Sequence, residues 1–391
     1  YQHPYHQNPT IMNVLKAAAA LLLVISLMPN KAAAQLNMEL RDVLTYPERT
    51  SDIWGYADTA GREYAIVGVF DGTSIVDVTN PDSIYELFFV PGLESTWRDM
   101  KTWQHYAYVT NETGGGLLIM DMQYLPDSMP FTRWVNADSS YFTAHNIYID
   151  EKGYGYLWGY NNNTGTVPYN DRGALIIDLN TDPWNPTVAG NYTTQYCHDG
   201  YVRGDTMWTS EISAGQFAAV DVTDKQNLQV LATAETPNRF THNCWLSDDG
   251  QILFTTDERS GAYIAAYDVS NLNDIEETYR WQADPGSGLI PHNTHVIGDY
   301  LVTSYYKYGV NIIDAGKPGV LVEVGHYDTS PFPSSDGFSG CWGAYPYLPS
   351  GNILATDIQQ GLFVITPTYQ QGCYLEGQTT LESTGAPLNN V

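Results

Sequence analysis

The 391 residues carry 44 Asp and Glu against 17 Lys and Arg, a formal charge of −27. So acidic a surface repels a phosphate backbone and makes nucleic acid a poor partner. Apolar residues make up 43%, enough for a sizeable core, while four cysteines are too few and too scattered for a disulfide framework.

Taken in chain order, Met12 to Ala34 has the pattern of a secretory signal. Lys16 supplies a positive start, Ala17 to Met28 an apolar run, and Ala32-Ala33-Ala34 a small-residue cleavage site before Gln35. The run is too short to cross a bilayer. Residues 1–34 are therefore expected to be upstream residues plus a cleavable leader ending near Ala34. The mature product would be secreted or held at the cell surface, with no transmembrane segment.

Beyond the leader one phrase returns again and again. It is Ser74-Ile75-Val76-Asp77-Val78, then Leu118-Ile119-Met120-Asp121-Met122, and its later copies end at Asp178, Asp221, Asp268 and Asp314. A degraded copy, Leu362-Phe363-Val364-Ile365, closes the series. Each period also holds a polar-aromatic strand, a strand rich in Tyr, Trp and Thr, and an outer strand. Turns of Asp and Gly such as Asp150–Gly153 and Ser247–Gly250 separate them. A period in the forties built of short strands is the signature of a β-propeller. The expected fold over residues 35–370 is all-β: a seven-bladed β-propeller of four-stranded blades at 54–93, 95–137, 142–192, 195–237, 240–284, 289–329 and 338–368.

The strand ending in Ile-x-Asp and continuing as Val78-Thr79-Asn80-Pro81 resembles the LVIVD repeat, and residues 40–368 resemble the choice-of-anchor B family of secreted propellers. That resemblance implies a fold and a compartment, not a reaction. Tyr374 to Thr379 and Ser383 to Leu388 resemble the opening of a carboxypeptidase-regulatory-like β-sandwich, so 371–391 is expected to be its truncated start.

Aligning the repeats places His145-Asn146, His198-Asp199, His242-Asn243 and His292-Asn293 at the start of the first strand in blades 3 to 6, with Arg98-Asp99 in blade 2 and Cys341-Trp342 in blade 7. At the end of the second strand stand Glu112, Tyr160, Glu211, Asp257, Tyr305 and Asp357. Both sets belong at one end of an antiparallel pair, so they should meet at one mouth of the central channel. His295, an odd offset from His292, is expected to face away and pack between blades; His105 and His326 fall outside the register.

Three readings of that mouth stay open. Buried polar side chains could bridge blades and hold them in register. His145, His198, His242 and His292, with Glu211 and Asp257, could hold a divalent metal: zinc, manganese, iron or calcium. Histidine, tyrosine and carboxylate could instead run acid–base chemistry on a polysaccharide, as a lyase or as a metal-dependent hydrolase. The reading taken forward is a monomeric cell-surface binding or scaffold module. It would take a saccharide or protein ligand, or a metal, at the mouth, with Arg98, Asp99, Glu112, Tyr160, Tyr305 and Asp357 as binding residues.

Overall fold

The computed structural model describes residues 35–136, 141–317 and 319–374. The leader and most of the expected sandwich segment lie outside the described residues. Seven antiparallel sheets, each at least four-stranded, follow one another along the chain. In blade 1 the strands are Thr50–Ala57, Glu63–Val69, Gly72–Asp77 and Tyr85–Pro91, each paired with the next. The innermost strands of the other six are Met100–Trp103, Asn146–Ile149, Asp199–Arg203, Thr241–Leu246, Thr294–Ile297 and Cys341–Tyr345. Each lies against the innermost strand of the next blade, and that of blade 7 meets blade 1. The chain is a seven-bladed β-propeller with a closed ring.

The repeated Asp has a structural cause. Its carboxylate accepts the backbone N–H two residues on: Thr79 donates to Asp77 (2.9 Å), Asn180 to Asp178 (2.8 Å), Thr223 to Asp221 (2.8 Å) and Ser270 to Asp268 (2.9 Å). Such an Asx turn stops the third strand and aims the chain into the outer one. The apolar residues before it are buried because each blade packs face to face on its neighbours. Thus Tyr156, Trp158 and Ile176 of blade 3 share one core with Met207, Ala218 and Val220 of blade 4.

The ring is closed by chain that the repeat reading left outside the blades. Met38–Leu44 forms the outer strand of blade 7, pairing with Gly361–Pro367. Gln35–Leu36 adds a fifth strand to blade 6 along Val322–Tyr327. Joining the two ends of the chain in this way protects the last sheet edge.

Candidate functional site

At one end of the channel the four repeat histidines stand side by side. Ring centroids are 4.0 Å apart between His145 and His198, 4.5 Å between His198 and His242, and 4.4 Å between His242 and His292. The series continues to Trp342 (4.1 Å), which stacks on Trp97 at 4.1 Å and 11°. In blades 5 and 7 the ladder skips a residue at His242 and at Trp342, a bulge that turns that side chain to the mouth. In blades 3 and 4 the histidine comes one residue before the innermost strand, and in blade 6 two.

Below this rim lies a polar layer of Asp52, Asp99, Asn146, Asp199, Asn243 and Asn293. Lys101 Nζ is 2.9 Å from Asp99 Oδ1, both groups buried, and Asn243 donates to Asp199 Oδ2 at 2.8 Å. Burial, with Asp99 alongside, holds Asp52 well above the usual carboxylate range, and burial pushes Asp199 to about 6. Burial opposes the Lys101 charge, but Asp99 and Asp52 outweigh it and raise its pKa. Deeper still, Lys101 Nζ lies 4.4 Å from the Trp54 ring, and Trp245 packs on His295 at 4.6 Å. His295 therefore faces the channel rather than a blade seam. Its neighbour in register is Asn293, two residues back. His292 precedes the first ladder pair at Thr294, so strand alternation cannot be counted from it.

Two carboxylates reach the histidines. Exposed Glu112 has Oε1 3.2 Å from His145 Nδ1. Burial resists both charges, but their mutual bond prevails, lowering Glu112 and raising His145. Glu258 has Oε2 3.6 Å from His242 Nε2, and the Tyr306 hydroxyl donates to its other oxygen. Burial pushes Glu258 up to about 7. Burial and the neighbouring imidazoles hold His198 and His242 well below the usual histidine range, and burial takes His292 to about 3. All three are neutral near pH 7, so His242 and Glu258 form no ion pair.

Among the described residues neither nitrogen of His242 has a hydrogen-bond partner, although the residue is 2% exposed. The ligand atoms of His198, His242 and Glu258 lie within 4.8 Å of one another. The void at the rim, bounded by His145, His242, His292, Trp97 and Trp342, is about 10 Å³. That is room for one water-sized sphere.

The other residues expected at the mouth are engaged elsewhere. Arg98 turns its guanidinium back to the carbonyls of Val69 (2.8 Å), Phe70 (3.3 Å) and Leu93, tying blade 2 to blade 1, and Trp97 takes its place in the ring. Glu211 accepts from Tyr192, Thr209 and Gln216, the last at 2.7 Å. Asp257 accepts from the Thr236 hydroxyl (2.6 Å) and the Asn238 and Phe240 N–H groups (2.7 and 2.9 Å). Asp357 accepts from Thr329 and the Gln359 N–H. The Tyr305 hydroxyl donates to the Ala262 carbonyl, and Tyr160 is buried in the core of blades 2 and 3. Asp99 borders both the rim void and the polar layer below it.

The reason is register. Asn243 pairs with Thr256 and Met100 with Val109, so the residue equivalent to Asp257 in blade 2 is Asn111, and Glu112 matches Glu258. The alignment from sequence mixed two adjacent positions, and one step along a strand changes the face. Glu258 and Tyr306 are the residues it missed. The signal was their place directly after Asp257 and Tyr305.

No family model matches the chain, and no curated protein matches it. Among solved structures it is similar to the β-propeller domain of Cps50 (Swd1) from Myceliophteria thermophila, with a TM-score of 0.56 at 10% sequence identity. The match covers 84% of this chain and 99% of that domain. A likeness at that identity shows the architecture alone: this is a β-propeller, and function must be argued from its sites.

Proposed function

We propose that this propeller is a binding module for one divalent transition-metal ion at its histidine mouth, held by His198, His242 and Glu258. The observation that carries the reading is His242, a neutral imidazole buried with both nitrogens unpartnered among the described residues, beside a second imidazole and a carboxyl. A buried polar atom without a partner is costly, and an ion would supply the partner. Neutral imidazole is the ligating form of histidine. Two nitrogens and one oxygen suit zinc and its neighbours and leave a further position open, whereas calcium takes six or more oxygens. Tyr306 would orient Glu258 as an outer-shell partner.

The Met12–Ala34 pattern and the Ile-Val-Asp repeat support a secreted or surface-held module of the choice-of-anchor B kind. Elemental analysis of protein dialysed against zinc tests the ion reading. The expected result is about one zinc per chain. In His198→Ala/His242→Ala and in Glu258→Ala, zinc should fall to background with the circular dichroism of the fold unchanged. Full zinc uptake by the folded double variant, or none by the wild type, refutes the site.

A further inference from the structure

The residue just after the repeated Asp does a second job: it fills the seam against the preceding blade. Val78, Met122, Leu179, Val222 and Val269 all do so, each at 5% exposure or less. Blade 6 breaks the pattern with Ala315, followed by Gly316. The seam between blades 5 and 6 is correspondingly open, a cleft of about 250 Å³ floored by Phe254, Val296, Leu301 and Leu321. It lies on the face opposite the histidines. The turns that border it, Ser247–Asp249 and Gly298–Asp299, follow the far ends of the innermost strands that start near His242 and His292.

The rim is charged. Asp248, Asp249 and Asp299 are exposed around the opening, and Lys317 is the cation among the described lining residues. The floor is apolar and buried. A space larger than one that holds benzene, lined in this way, suits a large apolar side chain with a positive charge beside it. We propose that this cleft is a second binding site, taking a peptide segment that seats an aliphatic or aromatic side chain in the open seam and sets Lys or Arg against the rim carboxylates. The whole-chain charge of −27 works in the same sense.

The sister blades supply the test. Ala315→Leu restores the missing seam side chain and should close the cleft without touching the histidine mouth; Ala315→Val is the smaller version. The probes are two fluorescein-labelled hexapeptides, Gly-Leu-Lys-Phe-Lys-Gly and its twin with Glu in place of Lys, read by fluorescence anisotropy on the full chain. Wild-type protein should bind the lysine peptide at least about tenfold more tightly than its twin, and either Ala315 variant should weaken that binding by about tenfold or more while remaining folded. Asp248→Asn/Asp299→Asn, which leaves the cleft open, should remove the preference for lysine. Equal binding by Ala315→Leu and wild type overturns the site. Equal binding of the two peptides, or of neither, overturns the peptide assignment.

Discussion

Glu258 allows the dryness of the mouth to be tested without any metal. Its carboxyl is moved by burial from the ordinary 4.5 to about 7, with the Tyr306 hydroxyl on one oxygen and His242 Nε2 3.6 Å from the other. In the unfolded chain the same group ionises near 4.5. Below that pH both states keep the proton and nothing is lost. As the pH rises towards 7 the unfolded state gives up its proton first, so folding weakens, and by pH 8 the cost is about 3 kcal/mol. Glu258→Gln removes the titration while its amide oxygen can still accept from Tyr306. The difference in unfolding free energy between variant and wild type should therefore grow from near zero at pH 4 to about 3 kcal/mol at pH 8, with the variant more stable. Asp52, Asp199 and Asp357 are also raised by burial, but they are common to both proteins and cancel. Urea unfolding with chelator present, at unit steps of pH, reads the difference. Zinc should reverse the trend, because it requires the ionised carboxylate and so binds more tightly as the pH passes 7. Parallel pH profiles for the two proteins would mean that Glu258 is solvated, and the ion reading would lose its third ligand.

Two further outcomes follow from the channel and the register. Lys101→Met leaves Asp99 buried beside Asp52 without its counter-charge, and should cost about 3–5 kcal/mol by urea unfolding, most of it recovered in Lys101→Met/Asp99→Leu; a single-variant cost under about 1 kcal/mol would show that water reaches this layer. Asp257→Ala orphans the Thr236 hydroxyl and the Asn238 and Phe240 N–H groups, and should destabilise by about 1–3 kcal/mol while leaving zinc uptake intact; loss of zinc from a folded Asp257→Ala would contradict the separation of Asp257 from Glu258.

The blade count was legible because the Ile-x-Asp phrase is local: the Asp and the N–H it accepts are two residues apart, so every copy carries its own turn. The closing strand was not. Met38–Leu44 pairs with residues more than three hundred positions away, and nothing in its own sequence points to that partner. The first blade was also begun too late, at 54 rather than Thr50, which hid Asp52 from the channel. The four histidines were placed together because each sits at the same point of its repeat. Of the carboxylates, Glu112 is legible in the same way and meets His145, but Glu258 is not, because a strand hides its register: it differs from Asp257 by one position and by a whole face.

Repetition makes these sites readable, since whatever holds the ring together must recur in nearly every blade. The Asp turn and the seam aliphatic recur, and their residues are engaged in holding strands and blades. What departs from the average is free to do something else. Histidines occupy the rim in blades 3 to 6, but in blades 2 and 7 Trp97 and Trp342 stack and close the ring, which confines the imidazoles to one arc of the mouth. The carboxylate that meets them within that arc, Glu258, is joined by Tyr306 from the next blade. On the opposite face Ala315 stands where its counterparts carry Val, Met or Leu, and the seam it fails to fill is a cleft. The two departures share blade 5, with His242 and Glu258 at one end of it and the Ser247–Asp249 turn at the other, and Tyr306 of blade 6 touches Glu258. Zinc uptake by the Ala315 variants and peptide binding by the histidine variants would each be unchanged if the two sites are independent. A shift in either would mean that the strands Thr241–Leu246 and Thr294–Ile297 carry the coupling between them.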